Sequence, residues 1–202
     1  MNIDPAEAIQ RLRDGNRRFV ELAPEARTRW DRASATEARP FAAFLGCSDA
    51  RAPAEFVFDV GLGDLFVIRV AGNIVAPSQV GSIEFAVDAF GVPLVVVMGH
   101  TRCGAIAAAA RHLTTGEPPV TDSVLRITSR IRPIIAPVLA TEGLADPLRA
   151  AMRANVLASV AQLSRDSRLI EDLVQAGKLR VVGAEYELES GRVRFLEGDE
   201  QR

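Results

Sequence analysis

Apolar positions along the chain fall into two kinds of pattern, short solid runs and stripes at helical spacing. Solid runs at 41–45, 64–70, 94–98 and 179–186 predict strands, the first buried on both faces. Between the second and third runs, Val80, Ile83, Val87 and Phe90 share one helical face, and Gly91 with Pro93 ends that helix. Phe85 points away from the stripe. Further helices are expected from Cys103 to His112, over 122–139 with breaks at Pro133 and Pro137, over 146–164, and in a short segment ending at Gly177. Asp4-Pro5-Ala6-Glu7 combines a capping Asp, Pro at the first helical position and a Glu that can reach back. With Ile9, Leu12, Phe19 and Val20 behind it, it predicts an N-terminal helical arm over about residues 4–22. The stretch 23–40 is polar and irregular. After the turn at Ser190-Gly191, residues 191–195 offer a hairpin partner for the last strand.

Strands alternating with helices define an α/β protein. The expected form is a mostly parallel central sheet of about four core strands, with an antiparallel edge strand and helices on its faces. In such sheets ligands gather at the carboxyl ends of the strands. One domain over 1–202 suits this length. The 24 basic and 26 acidic residues are scattered, so neither a nucleic-acid stripe nor an acidic tail is present. The N-terminus lacks the basic start and apolar core of a signal peptide, and no apolar run reaches membrane-spanning length. A cytoplasmic protein without nucleic-acid or membrane partners is expected.

The chain has two cysteines and two histidines, and three of these four lie directly after strands. Cys47 follows the first run. His100 and Cys103, in Gly99-His-Thr-Arg-Cys-Gly104, follow the third. If those strands are neighbours, two thiolates and an imidazole converge, a donor set that suits zinc. Otherwise both cysteines are small buried hydrophobes. Three protein ligands leave a fourth position to water, substrate or a nearby carboxylate, which is how a catalytic site differs from a structural one. Asp49 can bind the metal or accept a hydrogen bond, and Arg51 is spaced to pair with it; the same spacing also describes a capping Asp beside a solvated Arg. His112, nine residues after Cys103, falls on roughly the opposite side of its helix. The Gly99–Gly104 spacing matches a phosphate loop, yet Ala105-Ile106 stands where Lys and Ser or Thr are needed. Gly61-Leu-Gly63 reads as a turn.

Taken together, Cys47-Ser-Asp-Ala-Arg51, Gly63-Asp-Leu-Phe-Val-Ile-Arg69 with Ala71-Gly-Asn73, Gly99-His-Thr-Arg-Cys-Gly-Ala105 and Gly183-Ala-Glu-Tyr-Glu-Leu-Glu-Ser-Gly191 resemble the β-class carbonic anhydrases in order and spacing. The resemblance implies one zinc ion per chain on Cys47, His100 and Cys103. Its fourth position would hold water in the active form or Asp49 in a closed one, with Arg51 drawing Asp49 away. It implies reversible hydration of carbon dioxide to bicarbonate and a proton through zinc-bound hydroxide, Asp49 orienting the nucleophile and the Gly104 N–H holding product. It also implies a homodimer or homotetramer with the pocket near the interface, Phe66 on its apolar wall and Phe85 facing the pocket or a partner.

Three positions depart from the family pattern. Ala38 stands where a substrate-contacting Gln is usual, Ala50 replaces Ser, and Phe85 replaces Tyr. A less polar pocket makes a carbonyl sulfide or carbon disulfide hydrolase on the same scaffold the second reading. A third is a non-catalytic metal- or bicarbonate-binding regulatory protein. Some family members bind bicarbonate between a Trp, an Arg and a Tyr; Arg69 and Tyr186 match, whereas Phe44 replaces the Trp. A redox-thiol protein is a fourth, but it leaves His100 and Asp49 without roles.

Overall fold

The computed structural model describes residues 3–21 and 38–196, so residue 22 of the expected arm and residues 23–37 of the polar stretch lie outside the described residues. Five strands form one sheet in the order β2-β1-β3-β4-β5. They are β1 (Ala42–Gly46), β2 (Leu65–Arg69), β3 (Leu94–His100), β4 (Arg180–Tyr186) and β5 (Val193–Phe195). The first four are parallel, and β5 closes one edge antiparallel to β4. This is the sheet that the solid apolar runs predict. Every residue of β1 and β3 is buried, as strands covered on both faces require.

Among the described residues seven α-helices cover it: α1 (Pro5–Glu21), α2 (Ala54–Val57), α3 (Pro77–Phe90), α4 (Gly104–Thr115), α5 (Asp122–Leu139), α6 (Pro147–Asp166) and α7 (Arg168–Gln175). On one face, Ala43, Leu45, Val95 and Val97 pack with Ile83, Ile106, Ile131, Met152 and Val156. On the other, Ala42, Phe44, Val96 and Met98 pack with Ala8 and Leu12 of α1 and with Val57 and Phe58. Alternation along each strand divides the two cores.

The N-terminal helix packs onto the sheet through Ala8 and Leu12. Asp4 caps it through the Ala6 N–H at 2.7 Å. Asn16 fastens it, donating to the carbonyls of Val57 and Gly191 and accepting from the Val193 N–H. The expected breaks at Pro133 and Pro137 do not occur, because α5 runs unbroken through both. These prolines are four residues apart on its exposed side, so the carbonyls they leave unpaired turn to solvent. Pro77 starts α3 one turn earlier than its apolar stripe shows. Among the described residues, no helix is long and apolar enough to cross a membrane.

Candidate metal centre

Because β1 and β3 are paired neighbours, their carboxyl ends deliver Cys47 and His100 to the same place. His100 is the last residue of β3, and Cys103 caps the start of α4. Between them the chain reverses through Arg102, whose φ of 56° lies in the left-handed region. The two Sγ atoms are 3.9 Å apart, and the three possible ligand atoms lie within 4.8 Å of one another. A tetrahedral centre with bonds of about 2.3 Å to sulfur sets two sulfurs roughly 3.8 Å apart. The group fits such an ion.

The imidazole is already committed. Its Nδ1 lies 2.9 Å from the Thr101 carbonyl, which can only accept, so Nδ1 carries the proton and Nε2 presents a lone pair. Nε2 is buried without a hydrogen-bond partner. A metal ion would supply that missing partner.

Electrostatics favour a cation here. The Cys47 thiol falls well below its ordinary range, first because Cys103 donates to it and despite burial, with His100 and the Gly72 N–H at 3.3 Å adding to the effect. Cys103 is pushed up by the same bond and by burial, so the pair keeps one proton. Burial works against a charged His100, but the nearby Cys47 sulfur and the Thr101 carbonyl outweigh this and raise its pKa. At the rim, Arg51 grips Asp49 with Nε to Oδ1 at 2.9 Å, Nη2 to Oδ2 at 2.8 Å and its own N–H to Oδ1 at 2.9 Å. These bonds hold the Asp49 carboxyl far below the usual carboxylate range. Its Oδ2 is 3.8 Å from His100 Nε2, yet the carboxylate falls outside the close ligand group.

Not every residue singled out from the sequence joins this centre. Gly104 adjoins Cys103, and a Cβ added there would meet open space. Ala38 lies beyond the amino end of β1, roughly 16 Å of strand away from Cys47, lining a cavity of about 340 Å³ with Phe41, Phe90 and Pro93. Phe66 pairs with Ala43 in the amino half of β2 and forms a cluster with Phe85 and Phe90, ring centroids 5.9 to 6.0 Å apart. Phe85 is 57% exposed. Phe44 is buried edge-on against Phe58 and shares with Tyr186 the core on the sheet face away from the thiols. Arg69 is occupied, donating Nε to the Cys47 carbonyl at 3.0 Å and Nη2 to the Asp49 carbonyl. His112 is half-buried, its Nδ1 3.4 Å from Arg132 Nη1 on α5.

Sequence reasoning gave no role to the layer that supports the site. The short 3₁₀ turn Ala71–Asn73 brings its Gly72 N–H to Cys47. Asn155 and Ser159 of α6 hold that turn by donating to the carbonyls of Gly72 and Asn73. Their signal was present: both polar residues share the buried face of α6 with Met152 and Val156.

Two thiols and one imidazole converging at parallel strand ends, with a carboxylate pinned by Arg51 at the rim, could hold a metal ion and leave it a fourth position, the arrangement of catalytic metal sites. A family model described as carbonic anhydrase matches residues 42–193, and the chain belongs to that family. A carbonic anhydrase from Mycolicibacterium smegmatis is 40% identical over 96% of this chain and 94% of its own length. Carbonic anhydrase 2 of Mycobacterium tuberculosis is 37% identical over 95% and 92%. Among solved structures, the β-carbonic anhydrase CafA of Aspergillus fumigatus superposes with a TM-score of 0.68 at 27% identity, covering 95% of this chain and 88% of its own. A tetrameric β-carbonic anhydrase from Sordaria macrospora shares the fold, with a TM-score of 0.70 at 24% identity over 80% of this chain and 82% of its own.

Proposed function

We propose that the chain is a β-type carbonate dehydratase that binds one zinc ion on Cys47, His100 and Cys103 and reversibly hydrates carbon dioxide to bicarbonate and a proton. The observation that carries this reading is the buried, unpartnered Nε2 of His100 set among two thiols in a chain of this family. Zinc held there supplies a Lewis acid that brings the pKa of water down towards about 7.

The chain's own groups do the rest. Asp49, ionised and fixed by Arg51, accepts a hydrogen bond from the attacking water and so aims its lone pair at carbon dioxide. On this reading the active form is the open one, in which Arg51 would keep the carboxylate from becoming a fourth ligand. The space at Gly104 admits the substrate, and its N–H at the start of α4 receives the oxygen that gains charge. His112 faces Arg132 across α4 and α5, so the proton leaves to water or buffer.

We read the protein as a cytoplasmic homodimer or homotetramer. Two free thiols 3.9 Å apart suit a reducing compartment. Among the described residues β2 has no strand on its outer side, and the exposed Phe85 beside it suits a second copy. Such a copy could bring its Phe66, Phe85 or Ala38 towards this metal end, which the same chain does not.

Elemental analysis together with parallel carbon dioxide and carbonyl sulfide assays tests the reading. One zinc per chain with carbon dioxide as the preferred substrate supports it. A preference for carbonyl sulfide, or one zinc with neither activity, refutes it.

A further inference from the structure

Glu185 on β4 is a charged side chain with 1% exposure. Two arginines on successive turns of α6 close on it. Arg149 donates Nε to Oε1, and Arg153 donates Nε to Oε2 at 2.7 Å. Arg149 also reaches Glu187, Nη1 to Oε1 at 3.1 Å. None of these groups takes part in the chemistry described above. A buried carboxylate with its guanidinium partners barely repays its desolvation, so the cluster is weak evidence of stability and better evidence of a fixed register.

What it registers can be read from the pairing. In the ladder between β3 and β4, Glu185 lies opposite Gly99 and Tyr186 opposite His100. Beyond the ladder, the Thr101 N–H donates to the Tyr186 carbonyl at 3.0 Å, and the Leu188 N–H donates to Thr101 Oγ1 at 3.1 Å. Thr101 in turn receives the His100 Nδ1–H on its own carbonyl at 2.9 Å. The residue that sets the direction and tautomer of the imidazole thus hangs from segment 185–188. That segment is what the two arginines hold.

We propose that Arg149 and Arg153 are positioning residues for His100: through Glu185 and the end of β4 they fix Thr101, whose carbonyl aims Nε2 at the metal position. The proposal rests on the reading that Cys47, His100 and Cys103 hold a metal.

The test measures zinc release to a chromogenic chelator from zinc-loaded protein, and the visible spectrum of the cobalt-substituted form. Wild type is compared with Arg149→Ala, Arg149→Lys and, as a control, Arg18→Ala, which breaks the Arg18–Asp59 pair between α1 and the turn after α2. Arg149→Ala is expected to speed release about tenfold, the low end of what partners of metal ligands contribute, and to shift the cobalt bands. Arg149→Lys keeps the charge but loses the fork, and its release falls between the two. Arg18→Ala releases zinc as wild type does, although it loses a comparable ion pair. Should Arg149→Ala fail to fold, Arg149→Lys carries the test. Release from the folded Arg149 variants at the wild-type rate, or equal acceleration in Arg18→Ala, overturns this inference alone. A wild-type chain that takes up no zinc overturns the metal reading and this one with it.

Discussion

Replacing Gly99 by Ala tests how closely α6 sits on the strand that carries His100. A Cβ at residue 99 would lie 2.6 Å from Met152 Sδ and 2.7 Å from Val156 Cγ2. Both distances are about 1 Å inside ordinary carbon contact. Met152 can swing aside, since its thioether is flexible. Val156 is β-branched, on the same helix face and fully buried, so it cannot. Overpacking of this kind costs about 1–3 kcal/mol, and in a chain of this size each kcal/mol lowers Tm by roughly 2–4 °C. A Gly99→Ala variant should therefore melt about 2–12 °C below wild type by circular dichroism. Adding Val156→Ala should recover part of the loss, because it removes the contact that cannot move. The same variant should hydrate carbon dioxide more slowly at saturating zinc, since the displaced segment ends in His100. A Gly99→Ala protein as stable as wild type, or a double variant with purely additive losses, would refute this account of the packing.

Other expectations follow from single contacts. Arg69→Met removes both donors that hold the Cys47–Asp49 loop, each worth about 1.5–3 kcal/mol at most and less at an exposed edge. Carbon dioxide hydration should fall about tenfold, the scale of a lost supporting partner, and an unchanged rate would show that the loop holds itself. Pro133→Ala restores a helical N–H at an exposed position. It should stabilise the protein by about 1–2 kcal/mol, as the helix gain of roughly 3 kcal/mol is offset by a looser unfolded chain; a fall in the urea midpoint would contradict this. Glu187 titrates below the usual glutamate range, mainly because Ser190 Oγ donates to it at 2.6 Å and also because Arg149 faces it. A depressed carboxyl stabilises the fold above its unfolded pKa of about 4.3 and loses that contribution as pH falls through its folded value. Ser190→Ala should raise the Glu187 midpoint in an NMR titration, and an unmoved midpoint would remove the hydroxyl as the cause.

Much of this was legible because strand burial and ligand spacing are local. Solid runs such as 94–98 announce strands covered on both faces, and Cys47, His100 and Cys103 all fall at or just beyond the carboxyl ends of two of them. Their convergence needed only β1 and β3 to be neighbours. The prolines of α5 misled because a helix break depends on whether the freed carbonyl meets solvent, which sequence does not state. Within one chain Ala38 does not reach Cys47 for a topological reason: the two flank opposite ends of β1 (Ala42–Gly46). The α1 packing hinges on Asn16 meeting Val57, Gly191 and Val193, partners as far as 177 positions away in sequence. The roles of Arg69 and Glu185 were hidden for the same reason, since each binds groups that other elements deliver.

The most direct test of the central claim is stopped-flow hydration of carbon dioxide by zinc-quantified protein near neutral pH, before and after metal removal and beside Asp49→Asn. The account predicts fast hydration with one zinc per chain, abolished by chelation, restored by adding zinc back, and severely reduced in the variant because the amide can no longer act as an acceptor-only group. Folded, zinc-loaded protein that leaves the hydration rate at that of buffer would contradict it.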